Sequence, residues 1–159
     1  MIKILLCLFL LFSFSKASYE IIENENIFML KINNENFQEV LLKLKDEINF
    51  EGFVIVYELN LAKSTNEVAV ALEKNGVLKE GINLGICKSS FTLQMLEENI
   101  NNINYCPLGF SVFQNKNNEI FISYKKYKAF KDEDKIALKI NEILKGLIFK
   151  SLEWVLEID

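Results

Sequence analysis

Histidine and arginine are both absent from this sequence of 159 residues. Histidine is the commonest general base and metal ligand, so a single chain without it cannot form a Ser-His-Asp site, a Cys-His site or a histidine-based zinc site. Without arginine, the chain has no planar guanidinium group to bind a carboxylate or phosphate through two parallel hydrogen bonds. The composition therefore excludes several common enzyme classes, and no motif indicates a cofactor or a metal site.

An excess of positive charge is also lacking. The 18 basic residues, all lysine, are outnumbered by 22 acidic residues, which gives a net charge of -4. Such a chain has no long-range attraction for phosphate, so we expect no nucleic-acid partner. With half of its residues apolar, one proline and no linker-like tract, the chain is predicted to form a single domain over residues 18–159.

The amino terminus has the three regions of a secretory signal peptide, residues 1–17. Lys3 precedes an apolar run at positions 4–12, and Ser15 and Ala17 supply the small residues of a cleavage site. The run is shorter than the roughly twenty apolar residues that span a bilayer, which disfavours an uncleaved anchor. We therefore predict cleavage after Ala17, a periplasmic or secreted location, and no membrane attachment afterwards.

Strand and helix patterns alternate along the remainder and predict an α+β domain built as a two-layer sandwich. We expect about five mixed or antiparallel strands, with helices packed on the sheet and a long C-terminal helix. The predicted strands are residues 27–32, 53–57, 82–87, 109–113 and 119–124. The last two flank an Asn-rich turn and form a predicted hairpin. The run 53–57 is apolar on both alternations, which predicts a central strand or one with a side covered by a partner.

Helix starts are predicted from capping residues. Asn36, with Glu39 three residues later, begins a helix whose apolar face runs from Phe37 to Ile48. Ser64 begins a second, short helix in the same way, and Ser89 or Ser90 is expected to cap a third. The last helix is predicted to begin near Asp132, where acidic residues complement the helix dipole.

Cys87 and Cys106 would be the two cysteines of the cleaved chain. An even number in an oxidising compartment favours a disulfide. A bridge that closes a loop of about twenty residues would stabilise the fold by roughly 3 kcal/mol. Such a bridge requires Cα atoms within about 7 Å, which antiparallel neighbouring strands would provide and parallel ones would not. The second interpretation is a pair of buried thiols without a bond.

A third interpretation gives the cysteines a chemical role. Cys87 precedes a predicted helix start at Lys88, Ser89 and Ser90, where the helix dipole and the lysine charge lower the pKa of a thiol. Against this role, the chain has no C-x-x-C pair and no histidine base, and a metal site would need two more ligands. We therefore favour the two structural interpretations and expect no metal site.

Around these cysteines the chain resembles the bacterial family called domain of unknown function 302. Its members typically have a strand ending in Gly-x-Cys-Asn-Pro, a helix, and then Leu-Pro-Cys-Asn before a hairpin. Gly85, Cys87 and Cys106 match, whereas Lys88-Ser89 replaces Asn-Pro and Pro107 follows the second cysteine. The resemblance implies a small α+β domain that forms a homodimer and has no established activity.

These observations together favour a non-catalytic binding or accessory domain that is secreted or periplasmic. The run 53–57 and the apolar C-terminal helix are the places where we expect self-association. The alternative is a thiol redox protein, in which Cys87 is the attacking thiolate and Cys106 the resolving partner. The sequence names neither a small-molecule nor a protein ligand.

Overall fold

The computed structural model describes residues 18–130 and 135–153. Its six strands form one antiparallel sheet in the order β1-β2-β6-β5-β4-β3. The strands are β1 (Ser18–Glu23), β2 (Ile27–Asn33), β3 (Val54–Asn60), β4 (Leu78–Cys87), β5 (Leu108–Asn115) and β6 (Ile120–Lys125). The helices are α1 (Phe37–Phe50), α2 (Leu61–Ala71), α3 (Ser89–Glu98) and α4 (Ile136–Glu153), with a short 3-10 helix at Ile100–Tyr105. The α+β class and the long C-terminal helix are confirmed.

Several expectations fall on parts of the chain without described structure. The predicted signal peptide at residues 1–17, with cleavage after Ala17, lies outside the described residues. So does the predicted start of the last helix at Asp132, because the described part of α4 begins at Ile136.

One face of the sheet and three helices enclose the hydrophobic core. In β5, buried and half-buried residues alternate strictly, which places Leu108, Phe110 and Val112 on the covered face. The predicted apolar face of α1 is buried in the same core, as are Phe91 and Met95 of α3 and the inner side of α4. We call this side of the sheet the covered face and the opposite side the open face.

The sheet has one strand more than predicted, because β1 gives no alternating pattern. Tyr19, Ile21 and Ile22 are all exposed, so burial imposes no alternation of apolar and polar residues on β1. The run 53–57 becomes β3, which is an edge strand, and the prediction of a central strand is wrong. Val54 and Val56 are more than half exposed. Apolar residues on both alternations of this strand therefore do not mean that both of its faces are buried.

The capping predictions are confirmed for one helix and wrong for two. The Asn36 side chain accepts hydrogen bonds from the amides of Gln38 and Glu39, at 2.8 and 3.3 Å, and so begins α1. The second helix begins four residues earlier than predicted, since Asn60 and not Ser64 accepts from the Lys63 amide. Asn and Ser cap equally well, so a sequence with several candidates does not decide between them.

The predicted hairpin is confirmed. β5 and β6 pair in antiparallel register from Ser111↔Ser123 to Gln114↔Ile120. The turn contains Asn118 at φ 64°, in the left-handed region that Asn tolerates better than most residues.

Candidate functional site

The two cysteines lie side by side at one end of the sheet. Cys87 ends β4 and Cys106 stands two residues before β5, and these strands are antiparallel neighbours with Ile86 opposite Leu108. The two Sγ atoms are 3.2 Å apart, in contact and without a covalent bond. The antiparallel arrangement that would bring the cysteines together is therefore the one that the chain adopts.

The environment of Cys87 disfavours its thiolate form. Burial raises the pKa of Cys87 to about 11, and the hydrogen bond with Cys106 adds to the effect. The Thr92 hydroxyl lies 3.3 Å from Cys106 Sγ and 3.2 Å from the carbonyl oxygen of Lys88, so the first turn of α3 contacts the pair. Within residues 18–130 and 135–153, no three His, Cys, Asp or Glu side chains form a group that could hold a metal ion.

The predicted helix-start residues lie at the beginning of α3, but none caps it. Lys88 occupies the N-cap position without a side-chain hydrogen bond to the helix, and Ser89 and Ser90 are exposed first-turn residues. The prediction of a serine cap is therefore wrong. The Lys88 amine instead donates to the Glu51 carbonyl oxygen at 2.7 Å and lies 5.5 Å from the centre of the Phe53 ring.

Lys88 and Ser90 border a cleft of about 510 Å³ between α3 and α4. Phe91 and Leu147, both buried, contribute to its lining, and Gly146 and Lys150 of α4 complete one wall. Lys88 and Ser90 are among the candidates predicted from the sequence, whereas the α4 wall, more than 50 positions away in the chain, was not predicted. The signal that could have found it is Gly146, a glycine inside a strongly apolar helical pattern.

The open face carries a second set of polar groups. The Tyr57 hydroxyl donates to Asn83 Oδ1 at 3.0 Å, and Asn83 Nδ2 donates to the Ser111 hydroxyl, also at 3.0 Å. The Tyr57 ring lies directly over Gly85, where a Cβ atom would be 2.1 Å from a ring carbon. Close to this chain of hydrogen bonds, Tyr127 accepts one from the Gly109 amide at 3.1 Å.

A family model described as "Domain of unknown function DUF302" matches residues 29–149. The chain belongs to this family. The crystal structure of an uncharacterized conserved DUF302 protein from Bacillus stearothermophilus is similar in fold, with a TM-score of 0.63 and 15% sequence identity. The similarity covers 82% of this chain and 98% of that one. No protein with a curated description matches the chain.

Membership of the DUF302 family confirms the resemblance seen at the cysteine segments and supplies no activity. Among the described helices, none is long and apolar enough to cross a membrane.

Proposed function

We propose that this DUF302 protein is a non-catalytic binding or accessory domain that acts in the periplasm or after secretion. In that compartment, Cys87 and Cys106 would form a structural disulfide. The observation that carries the proposal is the contact between the two sulfur atoms, which lie 3.2 Å apart at the end of β4 and just before β5. A bond requires them to approach to about 2 Å, which is a movement of roughly 1 Å.

Formation of the disulfide requires an oxidant, which can itself be a disulfide. Each thiol loses its proton, one sulfur–sulfur bond forms, and two electrons pass to a disulfide of an envelope oxidant, which becomes a dithiol. The raised pKa of Cys87 supports a structural role, because a thiol that is protonated at neutral pH is a poor nucleophile. The predicted cleavage after Ala17 would leave all of β1, since this strand begins at Ser18.

Mass spectrometry of the protein that cells accumulate tests both the cleavage after Ala17 and the disulfide. We expect the mass of a chain that begins at Ser18, lower by two hydrogens than that of the reduced chain until a reductant is added. An uncleaved chain in the cytoplasmic fraction would contradict the location. Two free thiols in an envelope fraction would contradict the disulfide.

The alternative function, a thiol redox protein, rests on the same contact between Cys87 and Cys106. It requires Cys87 to titrate below about 8.5, whereas its burial raises the pKa to about 11. In the reduced protein, the rate at which iodoacetamide alkylates Cys87 should therefore reach half of its maximum only near pH 11. The variant C106S removes the neighbouring sulfur. A half-maximal rate below pH 8 would instead favour the redox function.

We propose that the partner is a second copy of the chain, which binds through the edge strand β3. Val54, Val56 and Leu59 are exposed by 63, 51 and 52%, and the outer edge of β3 has no neighbouring strand among the described residues. An exposed apolar edge is suited to pair with a second copy. Light scattering at micromolar concentration should give a dimer that V56K converts to a monomer, with K63M on exposed α2 as a control. A monomeric parent protein would contradict the proposal.

A further inference from the structure

The open face of the sheet has two glycines side by side, and an aromatic ring covers only one of them. Gly85 of β4 pairs with Gly109 of β5, and two residues away along the same strands Asn83 pairs with Ser111. The Tyr57 ring lies over Gly85, and its hydroxyl donates to Asn83 Oδ1 at 3.0 Å. Over Gly109, a Cβ atom would have one backbone oxygen at 3.7 Å and, beyond its chain neighbours, no other described heavy atom within 4 Å. The space that the Tyr57 ring fills on β4 therefore continues as a cavity on β5.

Neither the backbone nor close packing requires a glycine at position 109. Gly52 is the one described glycine with a positive φ, so the conformation of Gly109 is open to other residues. A methyl group at Gly85 would lie 2.1 Å from the Tyr57 ring, whereas Gly109 has room for one. A glycine inside a strand weakens the strand and often marks a place where a ligand approaches the backbone. The cavity above Gly109 has a volume of about 550 Å³, within the range usual for small-molecule sites.

The polar groups beside the cavity repeat the arrangement that holds Tyr57. Asn83 Nδ2 donates to the Ser111 hydroxyl at 3.0 Å, and this hydroxyl donates to no other described residue. A serine hydroxyl has one proton to donate besides its two acceptor lone pairs. Ser111 therefore has a free donor two residues from Gly109. Asn83, which binds the Tyr57 hydroxyl, lies two residues from Gly85 in the same way.

A second tyrosine bounds the cavity on the side away from Tyr57. Tyr127 follows β6, which neighbours β5 on the side opposite β4. Its hydroxyl accepts from the Gly109 amide at 3.1 Å, and its backbone forms two hydrogen bonds of 2.9 Å with the Asn141 side chain of α4. Ile27 and Pro107 add apolar surface to the lining. These hydrogen bonds hold the Tyr127 wall in place before a ligand binds, which lowers the entropic cost of binding.

Charge does not select the ligand of this cavity. Lys125 is the one charged residue among the described residues that line it, and it is exposed. At the same rim, the side chain of Asn26 accepts from the Lys128 amine and donates to the Glu25 carboxylate. Burial raises the pKa of Tyr127, which keeps this wall neutral. Both signs of charge therefore stand at the rim, and the rest of the lining is suited to a neutral group.

We propose that this cavity binds a neutral phenolic compound, with its aromatic ring over Gly109 beside Tyr57 and its hydroxyl oxygen accepting a hydrogen bond from Ser111. A flat ring contacts the glycine backbone over its whole face, as the Tyr57 ring does over Gly85. A saturated ring is puckered and contacts the same backbone with fewer atoms. The inference rests on the proposed binding function and specifies its ligand class.

The test uses the isotope-labelled protein as cells accumulate it, titrated with para-cresol and followed by NMR. We expect saturable shifts centred on the amides of Gly109 and Ser111. The ring-saturated analogue, 4-methylcyclohexanol, should bind more weakly by about fivefold or more, because it loses contacts with the sheet. The absence of saturable shifts, shifts centred on another part of the chain, or equal affinity for the two compounds would overturn the inference.

A methyl group on the floor of the cavity tests the position of the ring. G109A places this group between the backbone and the ring and should weaken para-cresol binding by about tenfold or more. The variant is expected to fold, because no described atom beyond its chain neighbours lies closer than 3.7 Å to the added methyl group. The control is G146A, which adds the same group at a glycine of α4 with open space around it and should leave the affinity unchanged. Unchanged binding in G109A would place the ligand elsewhere and overturn the inference.

The contact with the ligand hydroxyl is tested by S111A together with toluene, which has the ring of para-cresol without its hydroxyl. S111A should weaken para-cresol binding by about threefold to tenfold, the value of one neutral hydrogen bond, and leave toluene binding unchanged. The control S89A removes an exposed serine hydroxyl at the start of α3 and should affect neither compound. An equal loss for para-cresol and toluene in S111A would mean that no hydrogen bond joins the ligand to Ser111, which overturns the inference.

Coverage of the open face by a second copy of the chain is a further outcome. In that case para-cresol will not bind and G109A will change the oligomeric state seen by light scattering, which would also overturn the inference. None of these results touches the cleavage site or the disulfide, which mass spectrometry measures, or the dimer through β3, which V56K tests separately.

Discussion

The two faces of the sheet are built from the same strands but differ in what holds their side chains. On the covered face, Phe110 of β5 is buried to 1% exposure against the helices. Three residues later on the same strand, Phe113 lies on the open face and stacks on Phe121 at a ring distance of 4.9 Å, with both rings partly exposed. The covered face is held by burial, and the open face by pairs of neighbours.

The covered face therefore contributes most of the stability, whereas the open face and its rim are free to carry binding groups. A buried face cannot change without creating a cavity, whereas the open face and the rim at the β4–α3 junction can vary at lower cost. The candidate groups of this protein lie on that side or at that rim. Cys87 and Cys106 stand where β4 and β5 meet α3, and Tyr57 and Asn83 form their hydrogen bond on the open face.

The largest expected effect comes from two substitutions on β5. F110A should lower the free energy of unfolding by about 3–5 kcal/mol, because it removes a fully buried ring and leaves a cavity. F113A should cost about 1 kcal/mol, since it removes one half-exposed stacking partner. Urea unfolding followed by circular dichroism measures both. Equal losses for the two variants would mean that the faces do not differ in the way that burial indicates.

The covered face is also the part of the fold that the sequence predicts best. The apolar positions of α1 from Phe37 to Ile48 repeat with the helical period because one side of the helix is buried. β1 was missed, and β3 was misplaced as a central strand, because neither buries one alternation of its side chains. Local patterns report burial, and the position of a strand at an edge is not a local property.

The proposed disulfide between Cys87 and Cys106 is expected to have the second-largest effect. With the disulfide formed, the protein should be more stable than the double variant C87S/C106S by about 3 kcal/mol, because the bridge closes a loop of some twenty residues. The measurement is urea unfolding with and without a reductant. The reductant should lower the unfolding midpoint of the parent and leave that of the double variant unchanged. A parent protein that is insensitive to reductant would show that no bridge contributes.

The candidate site was predictable only where its residues are neighbours in the sequence. Cys87, Lys88, Ser89 and Ser90 could be identified because they are adjacent in sequence at a strand-to-helix change. The contact of Cys87 with Cys106 depended on whether β4 and β5 are antiparallel, and the pattern of apolar residues carries no strand direction. The α4 wall of the cleft was missed because residues 50 or more positions apart are brought together only by the packing of the whole domain.

Two glycines opposite each other test how closely the open face is packed. In the register of β4 and β5, Gly85 pairs with Gly109. G85A would place a methyl group 2.1 Å from the Tyr57 ring and should cost about 1–2 kcal/mol, as the ring moves and its hydrogen bond to Asn83 breaks. G109A should change stability by less than about 0.5 kcal/mol, because the nearest atom to its Cβ is 3.7 Å away.

The background Y57A checks the cause that we assign to this loss. With the ring removed, G85A should become almost as neutral as G109A, so the two changes should be strongly non-additive. A loss that persists at full size in Y57A would mean that the backbone of β4, and not the Tyr57 ring, excludes a side chain at position 85.

The smallest expected effect concerns the hydrogen bond between Tyr57 and Asn83. Its energy follows from a double-mutant cycle of Y57F, N83A and the double variant, measured by urea unfolding. We expect a coupling of about 0.5–1 kcal/mol, the value usual for a neutral hydrogen bond near solvent. Tyr57 is 42% exposed, so water can satisfy Asn83 when the hydroxyl is removed, which keeps the coupling small. A coupling above about 2 kcal/mol would show that the open face is shielded from water, and hence that another molecule or a second copy covers it in solution.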